Sequence, residues 1–516
     1  MPLKPLFIPP PARSPETYRE RLKARELQRQ LQQGAGRPIS STLRSDGRRM
    51  VSVGNDVADA SKFRTFTDFL IAYMHRVLGH DWFRVEEAKS PPDMHSVVYW
   101  KFLFLKQRKS AKSQNGIAII PDSGAISAFI GLAYSLYLMR HNNELQSRMI
   151  ARLKDRRNFQ GAYYEITIAN ALIRSGFDLE LEDESDNEIK HCEYAAVSRE
   201  TGIRYSVECK MRSVAGHLHK DKIDGSGRRN PLSHLIQHLG QALEKPTQDK
   251  RLIFIDLNTP STPEVPPAWI EKAANMLDMS AKDRADKIEA CVFVTNLAYH
   301  HHLNDGMRGV SCFIHGYNIP DLGKPGLITL IQAWKNKKKY IDIHRIGHQI
   351  NDFTNVPITF DGSLPSVSVF GESPPVQIGE SYFFPDIEGG VIGEVTSAVV
   401  LEEKKEVMIT VKMDKYSIII KENMSDLQLN DFQNNRRTYF GKVDKNGNAD
   451  GSKNKNEFEL FEWLVSTYAE YERESVLKQT KGWPDEAKFR DLPDEDLILA
   501  FCDRLIAGMI NRPKAG

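Results

Sequence analysis

The segment 189–211 constrains the fold of this chain most, because its residue pattern is that of a β-hairpin. Residues 189–197 (IKHCEYAAV) and 203–211 (IRYSVECKM) are strand-like, and the polar run 198–202 (SRETG) between them ends in glycine. β-Branched and aromatic residues favour strands, whereas glycine and small polar residues favour turns. The sequence therefore predicts two antiparallel strands joined by a tight turn.

The register of this hairpin brings two carboxylates together. If the turn is centred between Glu200 and Thr201, residues that face each other have numbers summing to 401, so Glu193 faces Glu208. Like charges directly opposite each other destabilise a sheet. A divalent cation between the carboxylates relieves this repulsion, and oxygen ligands suit Mg²⁺ or Mn²⁺.

The returning strand has one polar face and one apolar face. Side chains alternate along a strand, so Lys210 lies on the face that carries Glu208. The opposite face, with Val207, Cys209 and Met211, is apolar. We therefore expect this second face to pack in the core.

A further acid comes from a predicted helix upstream. The stretch 159–177 has apolar residues at three- and four-residue spacing, and Gly176 stands where a terminating C′ glycine is expected. Glu165 lies on the apolar stripe, one turn before Ala169. Because a carboxylate that faces the core needs a partner, Glu165 is a candidate site residue.

Together these residues resemble the PD-(D/E)xK nuclease superfamily, whose type members are restriction endonucleases. The similarity covers residues 155–260 in the order helix with an acid, strand with an acid, and strand with E-x-K. By position, Glu165 matches the helical acid, Glu193 the first strand acid, and Glu208 with Lys210 the E-x-K element. The resemblance implies a restriction-endonuclease-like mixed α/β sheet flanked by helices, and metal-dependent hydrolysis of phosphodiester bonds.

The resemblance also implies a role for each site residue. Glu193, Glu208 and the backbone carbonyl of Cys209 would hold Mg²⁺ or Mn²⁺, and Glu165 would hold a second ion or a metal-bound water. The ion would acidify bound water and offset charge on the phosphate. Lys210 would orient that water or stabilise the developing charge.

The chain departs from the family at the first strand acid, where the family usually has Pro-Asp and this chain has Cys192 and Glu193. Glutamate also ligates metals, but its longer side chain shifts the ion. Asp183 and Asp186 are the alternative ligands, although we interpret their acidic run as a solvated strand end and loop. The predicted register makes Cys192 and Cys209 cross-strand neighbours, and this contact tests the assignment of Glu193.

A helix predicted after the E-x-K strand carries further candidates. An N-cap asparagine followed by proline indicates a helix over residues 231–245. Gln237 is a candidate catalytic residue, because a glutamine after E-x-K occurs in some branches of the superfamily. His234 and His238 have the spacing of a zinc pair, but no third ligand accompanies them, which favours a surface histidine pair.

Composition limits the class of protein. The 516 residues carry a net charge of +2, so a basic surface for nucleic acid must be local. The five cysteines show no C-x-x-C spacing, which indicates neither a zinc ribbon nor a disulfide framework and fits a reducing cytoplasm. The first residues lack the apolar core of a signal peptide. The apolar stretch 125–139 is shorter than the roughly 20 residues of a membrane span, so we expect a buried helix there.

Patterns along the chain predict four regions. These are a basic, partly disordered arm (1–55), a helical domain (56–154), a PD-(D/E)xK-like nuclease domain (155–355) and a C-terminal strand-then-helix α+β region of unknown role (376–516). The last region follows a stretch rich in proline, glycine and serine, which is typical of a boundary.

Two basic motifs outside the hairpin have two interpretations each. Four lysines between Trp334 and Tyr340, in a predicted helix over 328–350, suit contact with a nucleic-acid backbone, and a solvated helix face explains them equally well. The histidine triple at 300–302 follows a predicted strand and has metal-binding side chains. Because consecutive residues point in different directions, we expect a loop there.

The leading hypothesis is a Mg²⁺-dependent nuclease, an endonuclease acting on DNA, with a restriction or phage-defence role implied by the resemblance alone. One alternative is a catalytically inactive nucleic-acid-binding protein with a nuclease-like fold, although the acid, acid, lysine set is intact. Another is a structural salt bridge between Glu193 and Lys210 in an ordinary α/β interaction protein. We expect nucleic acid as the partner, no membrane association and a cytoplasmic location, with DNA versus RNA and a homodimer left open.

Overall fold

The structure is a computed structural model that describes residues 5–8, 15–143, 147–181, 193–214, 230–304, 306, 309–323, 329–385, 387, 390–443 and 456–510. The chain divides into two compact units. The larger unit comprises Arg29–Pro325 and Tyr340–Ser363, and the smaller comprises Met1–Gln28, Gly326–Lys339 and Leu364–Gly516. The fold is mixed α/β, as the sequence predicts.

The elements are numbered in chain order. The strands are β1 (Leu6–Ile8), β2 (Ser41–Leu43), β3 (Arg49–Val53), β4 (Asp56–Ser61), β5 (Lys112–Gln114), β6 (Ile117–Ile119), β7 (Phe177–Leu181), β8 (Tyr194–Ser198), β9 (Arg204–Met211), β10 (Lys250–Asp256), β11 (Ala290–Leu297), β12 (Val310–Tyr317), β13 (Ser381–Phe384), β14 (Val391–Leu401), β15 (Glu406–Lys412) and β16 (Ser417–Asn423). The helices are α1 (Pro15–Gln33), α2 (Phe66–Leu78), α3 (His80–Glu87), α4 (Ser96–Ser110), α5 (Gly124–Asn142), α6 (Ser147–Lys154), α7 (Phe159–Arg174), α8 (Leu235–Leu243), α9 (Trp269–Asp283), α10 (Leu330–Lys339), α11 (Ile341–Asn351), α12 (Pro365–Ser368), α13 (Asp426–Asn435), α14 (Glu457–Tyr468), α15 (Arg473–Gln479), α16 (Glu486–Arg490) and α17 (Asp494–Ile510).

A six-stranded mixed sheet is the centre of the larger unit. Its strand order is β12–β11–β10–β9–β8–β7. Strands β7, β8 and β9 are antiparallel neighbours, β9, β10 and β11 run parallel, and β12 is antiparallel to β11. Parallel neighbours need a crossover connection, and the two crossovers here contain α8 and α9.

Helices cover both faces of this sheet. Val207, Cys209 and Phe254 belong to a first core cluster that includes residues of α5 and α7. Ile253 and Ile255 belong to a second cluster that includes residues of α8 and α9. Since side chains alternate along a strand, the two clusters lie on opposite faces. The apolar face predicted for β9 is therefore confirmed as core.

The helical segment that precedes the sheet shares its core. The first core cluster extends from Ile39 to Phe360, so residues of the segments 56–154 and 155–355 pack together. Helix α5 is buried along nearly its whole length, which confirms the buried helix expected at 125–139. None of the helices in the described part of the chain combines the length and apolar character that crossing a bilayer requires.

The basic N-terminal region contains regular structure. Residues 15–33 form α1, and β2, β3 and β4 form a three-stranded antiparallel sheet. Val51 and Val53 in this sheet are buried in the first core cluster. Part of the region expected to be an arm thus contributes to the folded core of the larger unit.

The smaller unit contains two further cores. One lies on an antiparallel sheet with the order β1–β13–β14–β15–β16 and includes Val395, Ile409 and Phe432. The other includes Phe461 and Phe501 and is formed by α14 to α17 with partly buried residues of α10.

The lysines of α10 are paired with acids of the same unit. Residues 330–351 form two helices, α10 and α11, instead of the single helix predicted over 328–350. Three lysines of α10 lie 2.7–2.8 Å from carboxylates of α14 and α17: Lys335 from Asp496, Lys337 from Glu462 and Lys338 from Glu495. The positive charge predicted to contact nucleic acid is therefore offset by neighbouring carboxylates.

Candidate active site

The β8–β9 hairpin has the register that its sequence predicts. Tyr194 pairs with Val207 and Val197 pairs with Arg204, so paired residues have numbers that sum to 401. In the turn, Gly202 has a φ of +68°, a left-handed conformation that glycine adopts without steric strain. The local turn chemistry therefore determines which side chains of the two strands share a face.

Glu193 lies directly before the first residue of β8, where the register changes. Its N–H donates to the Val207 carbonyl at 3.1 Å, and these two residue numbers sum to 400, so Glu193 and Tyr194 both lie opposite Val207 as in a β-bulge. The predicted pairing of Glu193 directly with Glu208 is therefore not part of the ladder, which begins at Tyr194. Alternate residues of a strand direct their carbonyls to the same neighbouring strand. The carbonyl of Cys209 is therefore directed to the side of β9 on which Glu193 lies.

Three residues named in the sequence analysis lie outside the described residues: Cys192, Asp183 and Asp186. The predicted contact between Cys192 and Cys209 and the alternative first ligands therefore remain predictions. Cys209 itself is buried on the core face of β9.

Glu208 is almost fully buried and contacts two lysines. It is 2% exposed, and Lys210, on the same face of β9, donates a hydrogen bond to its Oε1. Lys245 Nζ lies 2.8 Å from Glu208 Oε2. Lys245 follows the last turn of α8, so this crossover helix brings a second cation to the carboxylate. The sequence analysis did not identify Lys245.

Helix α7 ends where its sequence predicts. Its last residue is Arg174, and Gly176 follows with a φ of +93°, the conformation expected of a C′ glycine. Ala162, Ile166 and Ala169 are buried in the first core cluster. The spacing of these apolar residues therefore predicted the buried face of the helix correctly.

Glu165 lies on this buried helix and is paired with Arg152 from α6. It is 4% exposed. Arg152 Nη1 lies 2.7 Å from Oε2 and Nη2 lies 2.5 Å from Oε1, which is a bidentate ion pair. The Tyr194 hydroxyl donates to the backbone carbonyl of Glu165 at 3.2 Å and connects α7 to the start of β8. Arg152 is therefore the partner that the buried carboxylate requires.

The three carboxylates of Glu165, Glu193 and Glu208, which we call the acid cluster, act on one another electrostatically. Burial raises the pKa of Glu193 to about 7, and the negative charges of Glu165 and Glu208 contribute to that rise. Burial also raises the pKa of Glu165, against the opposing effect of Arg152, and Glu208 adds to the rise. These mutual effects indicate that the three carboxylates lie within electrostatic range of one another.

Lys210 belongs to the same electrostatic group. Burial lowers the pKa of its ammonium group, but Glu208 and then Glu193 outweigh this effect and raise the pKa above the ordinary value. A lysine with a raised pKa stays protonated at neutral pH. Lys210 is therefore a fixed positive charge beside the acids.

Basic side chains balance the acid cluster in the structure. Arg152 neutralises Glu165, while Lys210 and Lys245 neutralise Glu208. Within the described residues, no group of three or more His, Cys, Asp or Glu side chains is arranged closely enough to hold a metal ion. Glu165 and Glu208 are engaged with their basic partners, and the three acids do not form such a group.

Helix α8 approaches the site with His238 and Lys245. Burial lowers the pKa of His238, the side chain of Gln241 opposes this, and His234 and Lys210 lower it further. His238 is therefore half-buried near Lys210, whereas the sequence favoured a histidine pair on the surface. Gln237 is exposed, and its Oε1 lies 3.1 Å from Nδ1 of His234.

The histidine triple is more ordered than the predicted loop. Residues 298–301 form a 3₁₀ turn after β11, and His300 is fully buried. Nε2 of His300 and of His301 lie 2.9 and 3.0 Å from Asn258 Oδ1. His302 Nε2 lies 2.8 Å from the hydroxyl of Ser261. The triple therefore lies in the connection between β11 and β12, as predicted, and these hydrogen bonds hold it against the chain that follows β10.

The residues that the sequence analysis missed differ in how well they could have been found. His238, Gln241 and Lys245 recur at three- and four-residue spacing, so the helical pattern alone places Lys245 on the face of His238. Arg152 lies on a separate short helix, and no spacing in the sequence connects it with Glu165.

Comparisons with protein-family models, with curated proteins and with solved structures find no match to this chain.

Proposed function

We propose that this chain is a metal-dependent nuclease that hydrolyses phosphodiester bonds, with Mg²⁺ or Mn²⁺ as the cofactor and DNA as the substrate. The observation that carries the proposal is the acid cluster with Lys210 beside it. Glu165 from a helix, Glu193 from the start of the hairpin and Glu208 with Lys210 from β9 shift one another's pKa values, which supports their acting as one group. This is the set of residues on which the resemblance to PD-(D/E)xK nucleases depends.

The order of elements also supports the proposal. Helix α7 precedes the antiparallel strands β7, β8 and β9, and α8 then crosses to β10, which runs parallel to β9. The resemblance implies a mixed sheet flanked by helices, and residues 159–256 have this arrangement. The site lies where α7 meets the start of β8.

The chemistry of the donor set fits a hard divalent cation. The ligands available are carboxylate and carbonyl oxygens, which Mg²⁺ and Mn²⁺ prefer. Glu208 Oε2 is buried and accepts no hydrogen bond from the described residues, although the charge of Lys245 lies close to it. Glu193, Glu208 and the carbonyl of Cys209 would hold the cation, with Glu165 beside them.

The residues of the chain have separable roles in this mechanism. A bound cation supplies an acidified water and offsets charge on the phosphate. Lys210 carries a fixed positive charge that stabilises negative charge developing on the phosphate. Arg152 orients the Glu165 carboxylate through two hydrogen bonds, and Lys245 offsets the charge of Glu208.

The ion pairs favour one alternative, a catalytically inactive nucleic-acid-binding protein with the same fold. Glu165 and Glu208 already have basic partners, and an acid that keeps such partners permanently holds no metal. In this alternative the basic side chains have replaced the cation. Activity and metal binding separate the two functions.

Cleavage assays test the proposal directly. The purified protein is incubated with supercoiled plasmid, linear duplex DNA, single-stranded DNA and RNA, each with Mg²⁺, Mn²⁺ or EDTA. We expect DNA cleavage with either metal and none with EDTA, and cutting of circular plasmid identifies an endonuclease. Binding of DNA without cleavage under every condition would support the inactive alternative. Neither binding nor cleavage of any nucleic acid would reject both.

A further inference from the structure

A cavity of about 560 Å³ lies in the smaller unit, beside the antiparallel sheet. Its lining comes from β1, α1, β13, β15, β16 and α13, together with residues 373–377 and 439–440. All of these residues belong to the smaller unit, whereas the acid cluster belongs to the larger. The cavity is therefore not part of the candidate active site.

The lining of this cavity is mostly apolar and aromatic. Phe7 of β1 packs edge-on against Tyr382, with ring centroids 5.7 Å apart. Four further lining residues belong to the core of the sheet: Val407, Ile409, Met424 and Phe440. Cavities of about 300–1,000 Å³ with such linings bind small molecules, and a few polar groups fix the orientation of the ligand. The volume and the lining therefore fit a small apolar molecule.

Tyr439 provides a polar group in this apolar lining. It is 4% exposed, and its ring packs against Phe432 and Phe440 at centroid distances of 5.5 and 5.0 Å. Its hydroxyl has no hydrogen-bond partner among the described residues, and it retains accessible surface where Tyr439 lines the cavity. Buried tyrosine hydroxyls usually have a partner, so this one indicates a ligand group in the cavity.

Other polar side chains of the lining already have protein partners. The Tyr382 hydroxyl accepts from the N–H of Gln377 at 2.8 Å. Gln428 accepts from the N–H of Ser425 at 3.0 Å, and its amide donates to the carbonyl of Ser373 at 3.4 Å. These contacts set the unpaired tyrosine hydroxyl apart from its polar neighbours.

The protonation of Tyr439 makes its hydroxyl a donor. Burial raises the pKa of Tyr439, and the negative charges of Asp431 and Glu372 add to the rise. The hydroxyl therefore stays protonated at neutral pH and can donate to an acceptor atom of a ligand.

The charges of the lining favour an uncharged ligand. Among the described residues of the lining, Arg21 is the one cation, and its Nη2 lies 2.5 Å from Oε1 of Glu380. Glu422 is the one acid among them. Since the cation is already paired, an anionic ligand would be buried without a charged partner, and burying a charge without a partner is costly.

We propose that this cavity binds a small, uncharged apolar molecule that bears a carbonyl group. The carbonyl oxygen would accept from the Tyr439 hydroxyl, and the hydrocarbon part would contact the side chains of β1 and β15. The inference does not depend on the nuclease proposal, since no residue of the acid cluster lines the cavity.

Calorimetry and thermal denaturation of the full chain in EDTA test the proposal with three probes of similar shape. These are 4-phenyl-2-butanone, 3-phenylpropanoate and 3-phenylpropylammonium, which share a phenylalkyl group and carry a ketone, a carboxylate or an ammonium group. We expect the ketone to bind with a stoichiometry of one and to raise the melting temperature. Each charged probe should bind about tenfold or more weakly, because its charge would be buried without a partner.

Two cavity variants and one matched control make the test specific. Tyr439→Phe removes the hydroxyl and keeps the ring, so it should weaken ketone binding about three- to tenfold, the contribution of one hydrogen bond. Tyr416→Phe makes the same change at a tyrosine that is 60% exposed and should leave binding unchanged. Val407→Phe fills part of the cavity and should weaken binding about tenfold or more.

Several outcomes overturn the proposal. Absence of ketone binding would do so, and a charged probe that binds as tightly as the ketone would assign the cavity to a charged ligand. Equal binding by Tyr439→Phe and Tyr416→Phe would remove the hydroxyl from the site, and unchanged binding by Val407→Phe would place the ligand elsewhere. A dimer in light scattering that the ketone dissociates would assign the cavity to a second copy of the chain. If Val407→Phe does not fold, as judged by its melting without ligand, Tyr439→Phe decides the test.

Discussion

Carboxylates are buried in two regions of the central sheet, at Asp256 and in the acid cluster. The partners that stabilise the buried negative charge differ between the two regions. Asp256, at the end of β10, is fully buried and accepts hydrogen bonds from Thr295 Oγ1, Asn258 N and Leu297 N at 2.8, 2.8 and 3.0 Å. Burial raises the pKa of Asp256 to about 6, although these hydrogen bonds oppose the rise. Its donors are neutral groups of β11 and of the chain after β10, so the carboxylate joins two strands.

In the acid cluster, the partners of the buried carboxylates are positively charged side chains. Arg152, Lys210 and Lys245 surround Glu165 and Glu208, and like charges remain close to one another. Neutral hydrogen bonds fixed in the backbone leave no place for a ligand. Long basic side chains can move aside and let a cation take their place. The comparison favours a structural role for Asp256 and agrees with the proposal that the acid cluster binds a cation.

The strongest test of this contrast is the loss of activity in Lys210→Ala. In the proposed mechanism Lys210 stabilises charge on the phosphate, and it does not pack in the core. We therefore expect cleavage to fall by about 10²–10³-fold while folding and DNA binding remain. Lys250→Ala, at an exposed position at the start of β10, is the matched control and should keep full activity. Wild-type rates in Lys210→Ala would remove this lysine from the mechanism.

The structural role of Asp256 predicts a loss of stability in Asp256→Ala. The substitution leaves three buried donors without an acceptor, and each costs roughly 1 kcal/mol or more, so we expect a loss of about 3 kcal/mol in the free energy of unfolding. Urea denaturation followed by circular dichroism measures it. The response to Mg²⁺ should be unchanged. A loss below about 1 kcal/mol would show that Asp256 does not hold the strands together.

Metal binding should stabilise the folded protein through the acid cluster. A ligand that binds only the folded state adds about 2.7 kcal/mol at 100 times its dissociation constant, so Mn²⁺ or Mg²⁺ should raise the melting temperature. Glu208→Gln should lose this response. Repulsion between carboxylates alone predicts that Glu208→Gln is more stable without metal. The structure predicts the opposite, because Lys210 and Lys245 would lose their partner. A normal metal response in Glu208→Gln would place the ion elsewhere.

The smallest expected effect is the pH dependence that Glu193 contributes. Its pKa is about 7 in the folded protein against 4.5 ordinarily, so the fold favours the protonated acid. Its contribution to stability is therefore complete below pH 4.5 and is lost as the pH rises through about 7. We expect a loss on the order of 2 kcal/mol between these values, and Glu193→Gln should lack it. Parallel stability profiles of the two proteins from pH 4 to pH 8 would contradict the prediction.

Local sequence was sufficient for the parts of the site that depend on one turn or one helix. The residues from 198 to 202 set the hairpin register, and Gly176 ends α7, because both depend on backbone conformations that glycine favours. The ion pairs of Lys335, Lys337 and Lys338 were harder to predict, since their acidic partners are more than 120 positions away in the sequence. The pairing of Arg152 with Glu165 was also hard to predict, because the two residues lie on separate helices. Tertiary packing decides which basic side chain contacts which buried carboxylate, and no local sequence pattern shows this.

The shared core of the larger unit limits how the chain can be divided. Asn170, in α7, is fully buried and donates to the hydroxyl of Ser135, in α5, at 2.8 Å. A fragment that begins at residue 155 would lack this partner and would expose the face of α7 that packs on α5. The segment that carries the acids is therefore not an autonomous folding module, and we expect amide hydrogens of α5 and α7 to exchange with solvent at similar slow rates. The position of Glu165 therefore depends on a cooperative folding unit that includes α5. This helix precedes Glu165, Glu208 and Lys210 in the sequence.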